Sequence, residues 1–179
     1  MFRFLPDYQF HRVTDIPPEC LKALGVRAVL LDVDNTLAIS GSQIPLDGLT
    51  RWLGALREVG IASAVFSNSG YSRVRPFAER IGVPYTARAC KPLRFRYRRA
   101  ARALGCAPGK VAIIGDQLFT DIWGGNRAGM VSILVAPILP ESSPAFRLKR
   151  AVERRLLGRR LDIECRSQSE ILKYRGNQD

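Results

Sequence analysis

The chain holds a single histidine, His11, in 179 residues. A zinc site built from two or three histidines is therefore excluded, and a serine–histidine–aspartate triad could draw only on this one residue. Any catalysis has to rest mainly on carboxylates, lysine, hydroxyls and a bound metal. Cysteine is also sparse. Cys20, Cys90, Cys106 and Cys165 are scattered with no CxxC pair, which argues against zinc ribbons and thioredoxin-like sites and for reduced, structural thiols. No apolar run approaches the length, about eighteen residues, that crosses a bilayer. The opening MFRFLPDYQFHRV lacks the continuous apolar core of a secretory signal. A cytoplasmic protein is expected, with peripheral contact on the inner face of a membrane as the further option. Acidic residues are outnumbered, 16 against 28 lysines and arginines, for a formal charge of +12. That balance suits anionic partners: nucleic acid, anionic lipid or a ribosomal surface.

What is present reads as alternating strands and helices. AVLLDVD (28–34), IASAVFSNS (61–69), PYTARAC (84–90), KVAIIGD (110–116) and MVSILVAP (130–137) are short apolar runs with strand character. Between them lie helical patterns. Leu49, Trp52, Leu53 and Leu56 share one face of a helix stopped by Gly60. Residues 71–82 form a second helix, with Pro76 in its first turn or kinking it. Residues 92–105 run from a proline to a glycine, and TDIWGGNRAG supplies a short helix. Nearly continuous apolar strands separated by helices imply α/β architecture: a three-layer Rossmann-like core with a five-stranded parallel sheet. Residues 1–140 are expected to form one domain. Pro137, Pro140 and Pro144 separate it from a basic, helical C-terminal appendage, 141–179.

In open parallel sheets, ligands bind beyond the carboxyl ends of the strands. The first run delivers Asp32 and Asp34 there, followed by Thr36. Residues two apart on a strand point the same way, so the two carboxylates repel unless a cation or proton relieves them. The second run delivers Ser67 and Asn68, Lys91 arrives before the 92–105 helix, and the fourth delivers Asp116 with Asp121 five residues on. Each alone has a bland reading as a cap, a turn or a solvated lysine. Together they form an ordered set. Asp32, Asp34 and Asp116 offer the hard oxygen ligands that Mg²⁺ prefers, and Lys91 and Ser67 remain for phosphoryl oxygens. Phosphoryl transfer is largely positioning and charge neutralisation, which this set suits.

DVDNTL, SNS, KP and GDQLFTD resemble the four successive motifs of haloacid dehalogenase-type phosphatases, in the DxDxT form of their phosphohydrolases. The likeness is closer to the YqeG type of subfamily IIIA, which includes phosphatidylglycerophosphate phosphatases of mitochondria and plastids. It extends to LPDYQFHRVTDI and to GDQLFTDIWGGNRAGM, and covers about residues 1–140. The resemblance implies that Asp32 is the nucleophile, forming an aspartyl-phosphate, and that Asp34 is the general acid and base. It implies Mg²⁺ held by Asp32, the Asp34 backbone carbonyl and Asp116, with Asp121 close by. Ser67 would bond the transferring phosphoryl group, Lys91 would offset its charge, and Thr36 and Asn68 would assist in binding substrate. Lipid phosphatase relatives typically carry Asn-Asn where this chain has Asn68-Ser69. GGNRAG does not directly follow a strand, so it is not a dinucleotide loop. Its Gly124 and Gly125, costing about 1 kcal/mol each in a helix, are expected to permit close packing beside the site.

The intervals from Asp34 to Ser67 and from Ser67 to Lys91 leave no room for a large cap domain. An open site favours a phosphate projecting from something large. Arg88, Lys91, Arg94, Arg96, Arg98, Arg99 and Arg102 follow one another with no acid between. FRLKRAVERRLLGRR sets Leu148, Val152 and Leu156 on one stripe among basic residues, a pattern that lies on anionic membranes or packs on a core. The leading reading is hydrolysis of phosphatidylglycerophosphate to phosphatidylglycerol. A phosphatase of nucleic-acid ends or another macromolecular phosphate is the alternative, and an RNA- or ribosome-associated basic module on the same fold is the non-enzymatic one.

Overall fold

The computed structural model describes residues 4–139. The expected appendage at 141–179, with its Leu148, Val152 and Leu156 stripe, lies outside the described residues. Within them runs one six-stranded sheet in the order β1-β6-β5-β2-β3-β4, with every neighbouring pair parallel. The strands are β1 (Tyr8–Phe10), β2 (Ala28–Leu31), β3 (Ala62–Phe66), β4 (Tyr85–Thr86), β5 (Val111–Gly115) and β6 (Val131–Val135). The five expected strands are all there, and β1 corrects their number to six. It pairs Tyr8–Phe10 with Ile133–Val135. Three half-buried residues among charged neighbours carry too little apolar signal to be read as a strand, and β6 supplies the pairing that makes them one.

The central strands show why both faces are covered. Along β2, Val29 and Leu31 join one core cluster while Ala28 and Leu30 join another, as alternation of side chains requires. β5 divides the same way, with Ala112 and Ile114 on the first face and Val111 and Ile113 on the second. The first face is roofed by α1 (Pro18–Ala23), α2 (Leu49–Glu58) and α3 (Tyr71–Ile81). Leu49, Trp52, Leu53 and Leu56 of α2 are all buried there, the stripe expected from their spacing. The Trp52 indole N–H also donates to the Ile16 carbonyl at 2.7 Å. The second face is roofed by α4 (Arg94–Ala103) and α5 (Trp123–Ala128), chiefly through Tyr97, Ala101 and Ala128. Each large apolar side chain buried this way stabilises the fold by about 1.5–3 kcal/mol. Pro76 lies inside α3, beyond its first turn, where it withholds an amide from the helix ladder.

This topology fixes the place of the site. From β2 the chain winds outward through β3 and β4, then returns to β5 on the other side of β2 and continues to β6. The winding reverses between β2 and β5, and a crevice opens outside their carboxyl ends. Asp32 follows β2 and Asp116 follows β5, so the two carboxylates face that crevice from adjacent strands. No large folded unit is inserted between the strands among the described residues, in keeping with the short intervals. No helix there is long and apolar enough to cross a membrane.

Candidate active site

Leucine and valine residues commit β2 to the interior, so the chain that leaves it must turn sharply while still buried. It does so through Asp34–Ala38, where the Leu37 and Ala38 N–H groups return to the Val33 carbonyl and Asn35 adopts a φ of 60°. The turn leaves Asp32 buried, Asp34 half-buried, and Thr36 bonded to Asp116 through its hydroxyl at 3.5 Å. After β5, a π-helical turn at Leu118–Ile122 swings Asp121 back under Asp116. The Asp121 carboxylate accepts the Gln117 N–H at 3.1 Å. It also fills the space beside Gly115, where a Cβ would come within 2.3 Å of the Asp121 Cγ.

Asp32, Asp116 and Asp121 are all buried, and each places an oxygen within 4.8 Å of the others. The Lys91 ammonium reaches into this cluster, 2.5 Å from Asp32 Oδ1 and 2.6 Å from Asp121 Oδ1. Burial alone would lower the Lys91 pKa, but the charges of Asp121 and Asp32 and the bonds to them outweigh it and hold the ammonium above the ordinary lysine value. Asp32 moves the other way. Desolvation pushes its carboxyl up to about 6, opposed by Lys91 and reinforced by Asp121 and Asp34. Three carboxylates against one ammonium leave two formal negative charges, which matches a divalent cation. The all-oxygen donor set suits Mg²⁺.

Asp34 stands apart from the cluster. Its Oδ1 accepts from Arg73 Nε and Nη2 at 3.1 and 3.0 Å and from the Gly41 N–H at 3.1 Å, and its Oδ2 accepts from the Ser69 hydroxyl at 2.7 Å. Burial pushes its pKa up, but the bonds from Ser69 and Gly41 and the Arg73 charge prevail and hold it below the usual value. The carboxylate is thus excluded from the acidic triad, and only the main chain of Asp34 remains for a metal. Ser67, buried at the end of β3, accepts the Ser69 N–H at 3.2 Å. Asn68 is exposed and turned toward Lys91, whose main chain it bonds twice.

All eight residues singled out by sequence therefore lie at one edge of the sheet. Arg73 and Ser69 were not among them, although a signal for Arg73 exists. It occupies the first turn of α3, a turn without an acid, against the positive end of the helix dipole, so it needs an anion nearby. Gly124 and Gly125 behave as expected. A Cβ would fall 2.5 Å from the Tyr97 hydroxyl oxygen and 2.2 Å from Ile113 Cγ2, respectively. That contact seats α5 on the sheet and lets the Tyr97 hydroxyl donate to the Thr120 carbonyl at 2.5 Å. Cys90 is an exposed free thiol beside the site, and His11 is exposed.

Residues 89–137 match the family model described as HAD-hydrolase-like. The chain is 37% identical over 154 residues to a protein of Bacillus subtilis (strain 168) named probable phosphatase YqeG, covering 86% of this chain and 90% of that one. It is 29% identical over 165 residues to the chloroplastic and mitochondrial phosphatidylglycerophosphate phosphatase 1 of Arabidopsis thaliana, covering 87% of this chain. Only 47% of that longer plant protein is spanned. In fold, the chain resembles the cobalt-bound deoxy-D-mannose-octulosonate 8-phosphate phosphatase of Haemophilus influenzae, with a TM-score of 0.50 at 16% identity, covering 76% of this chain and 90% of that one.

Proposed function

Because the chain belongs to the YqeG family of haloacid dehalogenase-like phosphatases, we propose that it hydrolyses a phosphomonoester through an aspartyl-phosphate on Asp32. The observation that carries this reading is the meeting of Asp32, Asp116 and Asp121 around the Lys91 ammonium at the switch point of the sheet. Asp32, Asp116 and the Asp34 carbonyl would hold Mg²⁺, with Asp121 behind them. When bound, the cation neutralises phosphoryl oxygens and relieves the repulsion among the carboxylates.

The chain's own groups divide the work. The Asp32 carboxylate attacks phosphorus, and the bond to the alcohol oxygen breaks. Asp34 is ionised at rest, so it takes up a proton as the substrate phosphate's negative charge enters beside it. It gives that proton to the alcohol oxygen, so that the product leaves as a neutral alcohol. Asp34 then takes a proton from water, whose oxygen attacks the phosphoryl group and frees Asp32 and inorganic phosphate. Arg73, Ser69 and the Gly41 N–H keep the Asp34 carboxylate aimed during both steps. Ser67 has its oxygen occupied by the Ser69 N–H, which turns its own O–H toward the phosphoryl oxygens. Lys91 offsets the charge that develops on them while fixing Asp32.

The substrate we infer is phosphatidylglycerophosphate. Support comes from the Arabidopsis relative's name, from the lack of a large folded cap over the site among the described residues, and from the chain's positive charge. The decisive assay compares Mg²⁺-dependent phosphate release from phosphatidylglycerophosphate micelles, 3′-phosphorylated DNA and small phosphomonoesters. Preference for the DNA would transfer the reading to nucleic-acid ends. Full release by an Asp32→Asn variant would remove Asp32 as nucleophile.

A further inference from the structure

Exposed large apolar side chains are unevenly distributed. Among the described residues they are Leu5, Ile39, Ile44, Tyr71, Leu93, Phe95 and Leu139. All but Leu5 belong to segments that leave the carboxyl ends of the strands, the edge that holds Asp32 and Lys91. Ile39 and Ile44 lie between β2 and α2, Tyr71 opens α3, Leu93 and Phe95 bracket the start of α4, and Leu139 follows β6. Ile44 and Phe95 are the most open, at 73% and 61% exposure.

Hydrogen bonds knit these segments into one rim around the mouth of the site. The Gln43 side chain donates to the Arg73 carbonyl on α3 at 3.0 Å. The Arg88 N–H donates to the Ser69 carbonyl at 2.9 Å, and its guanidinium lies 5.9 Å from the Tyr71 ring centroid. From α4, Arg96 reaches back to the carbonyls of Arg88 and Ala89 at 3.0 and 3.2 Å. The Ile138 N–H closes the other side on the Asn35 carbonyl at 3.0 Å. Apolar tips therefore stand on a hydrogen-bonded frame rather than on loose loops. Exposed Arg88 and Arg94 stand beside them, and no acid occurs from Arg88 through Arg102.

We propose that this rim is a membrane-docking face, which seats the mouth of the site directly on an anionic lipid surface. The inference rests on the lipid-phosphate reading above. Aliphatic tips such as Ile39, Ile44 and Leu93 cannot stack on bases as single-stranded nucleic acid requires. Apolar tips beside arginines instead fit the boundary between acyl chains and negative headgroups. Docked this way, the enzyme would receive a headgroup phosphate at the mouth of the crevice that leads down to the buried acids.

The test compares two variants of the full chain, Phe95→Trp on the rim and Glu58→Trp at the far end of α2, on the opposite edge of the sheet. Both keep Trp52 and Trp123, so the difference reports the new indole. Vesicles contain equal phosphatidylglycerol and phosphatidylcholine with brominated acyl chains. Phe95→Trp emission is expected to be quenched at least about twofold more than Glu58→Trp, and the quenching to weaken as salt is raised. Equal quenching of both, or none of Phe95→Trp, overturns the docking face. So does a response of Phe95→Trp to single-stranded DNA but not to vesicles. Phosphate release from p-nitrophenyl phosphate, which needs no bilayer, is followed on the same preparations. Release without rim quenching discards the docking face and keeps the phosphatase; rim quenching without release does the reverse.

Discussion

Asn68 grips the main chain of Lys91 from two sides. Its side-chain carbonyl accepts the Lys91 N–H at 2.7 Å, and its amide donates to the Lys91 carbonyl at 3.2 Å. The loop after β3 is thereby fastened to the loop after β4, and the ammonium of Lys91 is delivered to Asp32 and Asp121 from a fixed base. A long lysine side chain loses about 2 kcal/mol of rotamer freedom when held so. Anchoring its backbone limits how much more must be ordered during turnover.

Asn68→Ala removes both bonds and should lower kcat by about 10- to 100-fold, the usual range for groups that orient reactive ones. KM should change less, because Lys91 itself remains. Asn68→Asp keeps the acceptor and should recover part of the loss. Steady-state kinetics on one soluble phosphomonoester compares the three proteins.

Arg73→Ala should separate substrates by their leaving group. A poor alkoxide leaving group needs the proton of Asp34, a contribution of about 10²–10⁴-fold, whereas p-nitrophenolate does not. Without Arg73 the acid loses its aim, so with each protein at its own pH optimum the variant should lose at least about tenfold more on glycerol phosphate than on p-nitrophenyl phosphate. Removing the Arg73 charge also lets the Asp34 pKa rise. Asp34 then stays protonated to higher pH, so the alkaline limb of the rate profile should move upward. Equal losses on both esters, with no movement of that limb, would leave Arg73 without a part in proton transfer.

Asp32 links stability to pH. Its carboxyl is raised from 3.8 to about 6 in the folded chain, so the native state holds the proton more tightly than the unfolded one. Ionising Asp32 therefore costs stability, and that cost accrues as pH climbs from about 4 to 6. In chelator, Asp32→Asn should gain on the wild type across that window, by up to roughly 3 kcal/mol. Added Mg²⁺ should narrow the gap by stabilising the wild type more. Melting temperatures at pH 4, 5, 6 and 7 with and without the cation give the comparison.

Gly115→Ala addresses Asp121 without touching an acid. The new methyl would fall 2.3 Å from the Asp121 Cγ, so that carboxylate must move away from Lys91 and its companions. Overpacking of this kind costs about 1–3 kcal/mol. Mg²⁺ affinity, read by calorimetry on the purified variant, should fall at least about tenfold. Unchanged affinity would mean that Asp121 is not part of the cation's surroundings.

Much of this was readable in the linear chain, for reasons that are local. Asp32, Ser67 and Asp116 each end an apolar run, and a parallel sheet collects such ends at one edge. Lys91 and Asp121 needed only the added knowledge that a helix begins nearby. The grip of Arg73 on Asp34 spans 39 residues and depends on how α3 rolls against the turn at Gly41, which no periodicity encodes. Asn68 reads as a helper from its neighbours, but its partner is a main chain 23 residues away. β1 escaped for another reason: its three residues become a strand only because β6 offers an unpaired edge.

The two sides of the reacting centre are not equally robust. Asp32 and Asp116 issue from β2 and β5, each paired on both flanks, whereas Lys91 follows β4, a two-residue strand at the margin of the sheet. Marginal strands open first and at low free energy. Gentle warming would unseat the cationic arm while the carboxylates stay assembled, so turnover would fade before the molecule melts. A heat-quieted sample would still titrate metal, and cooling would restore its rate without refolding.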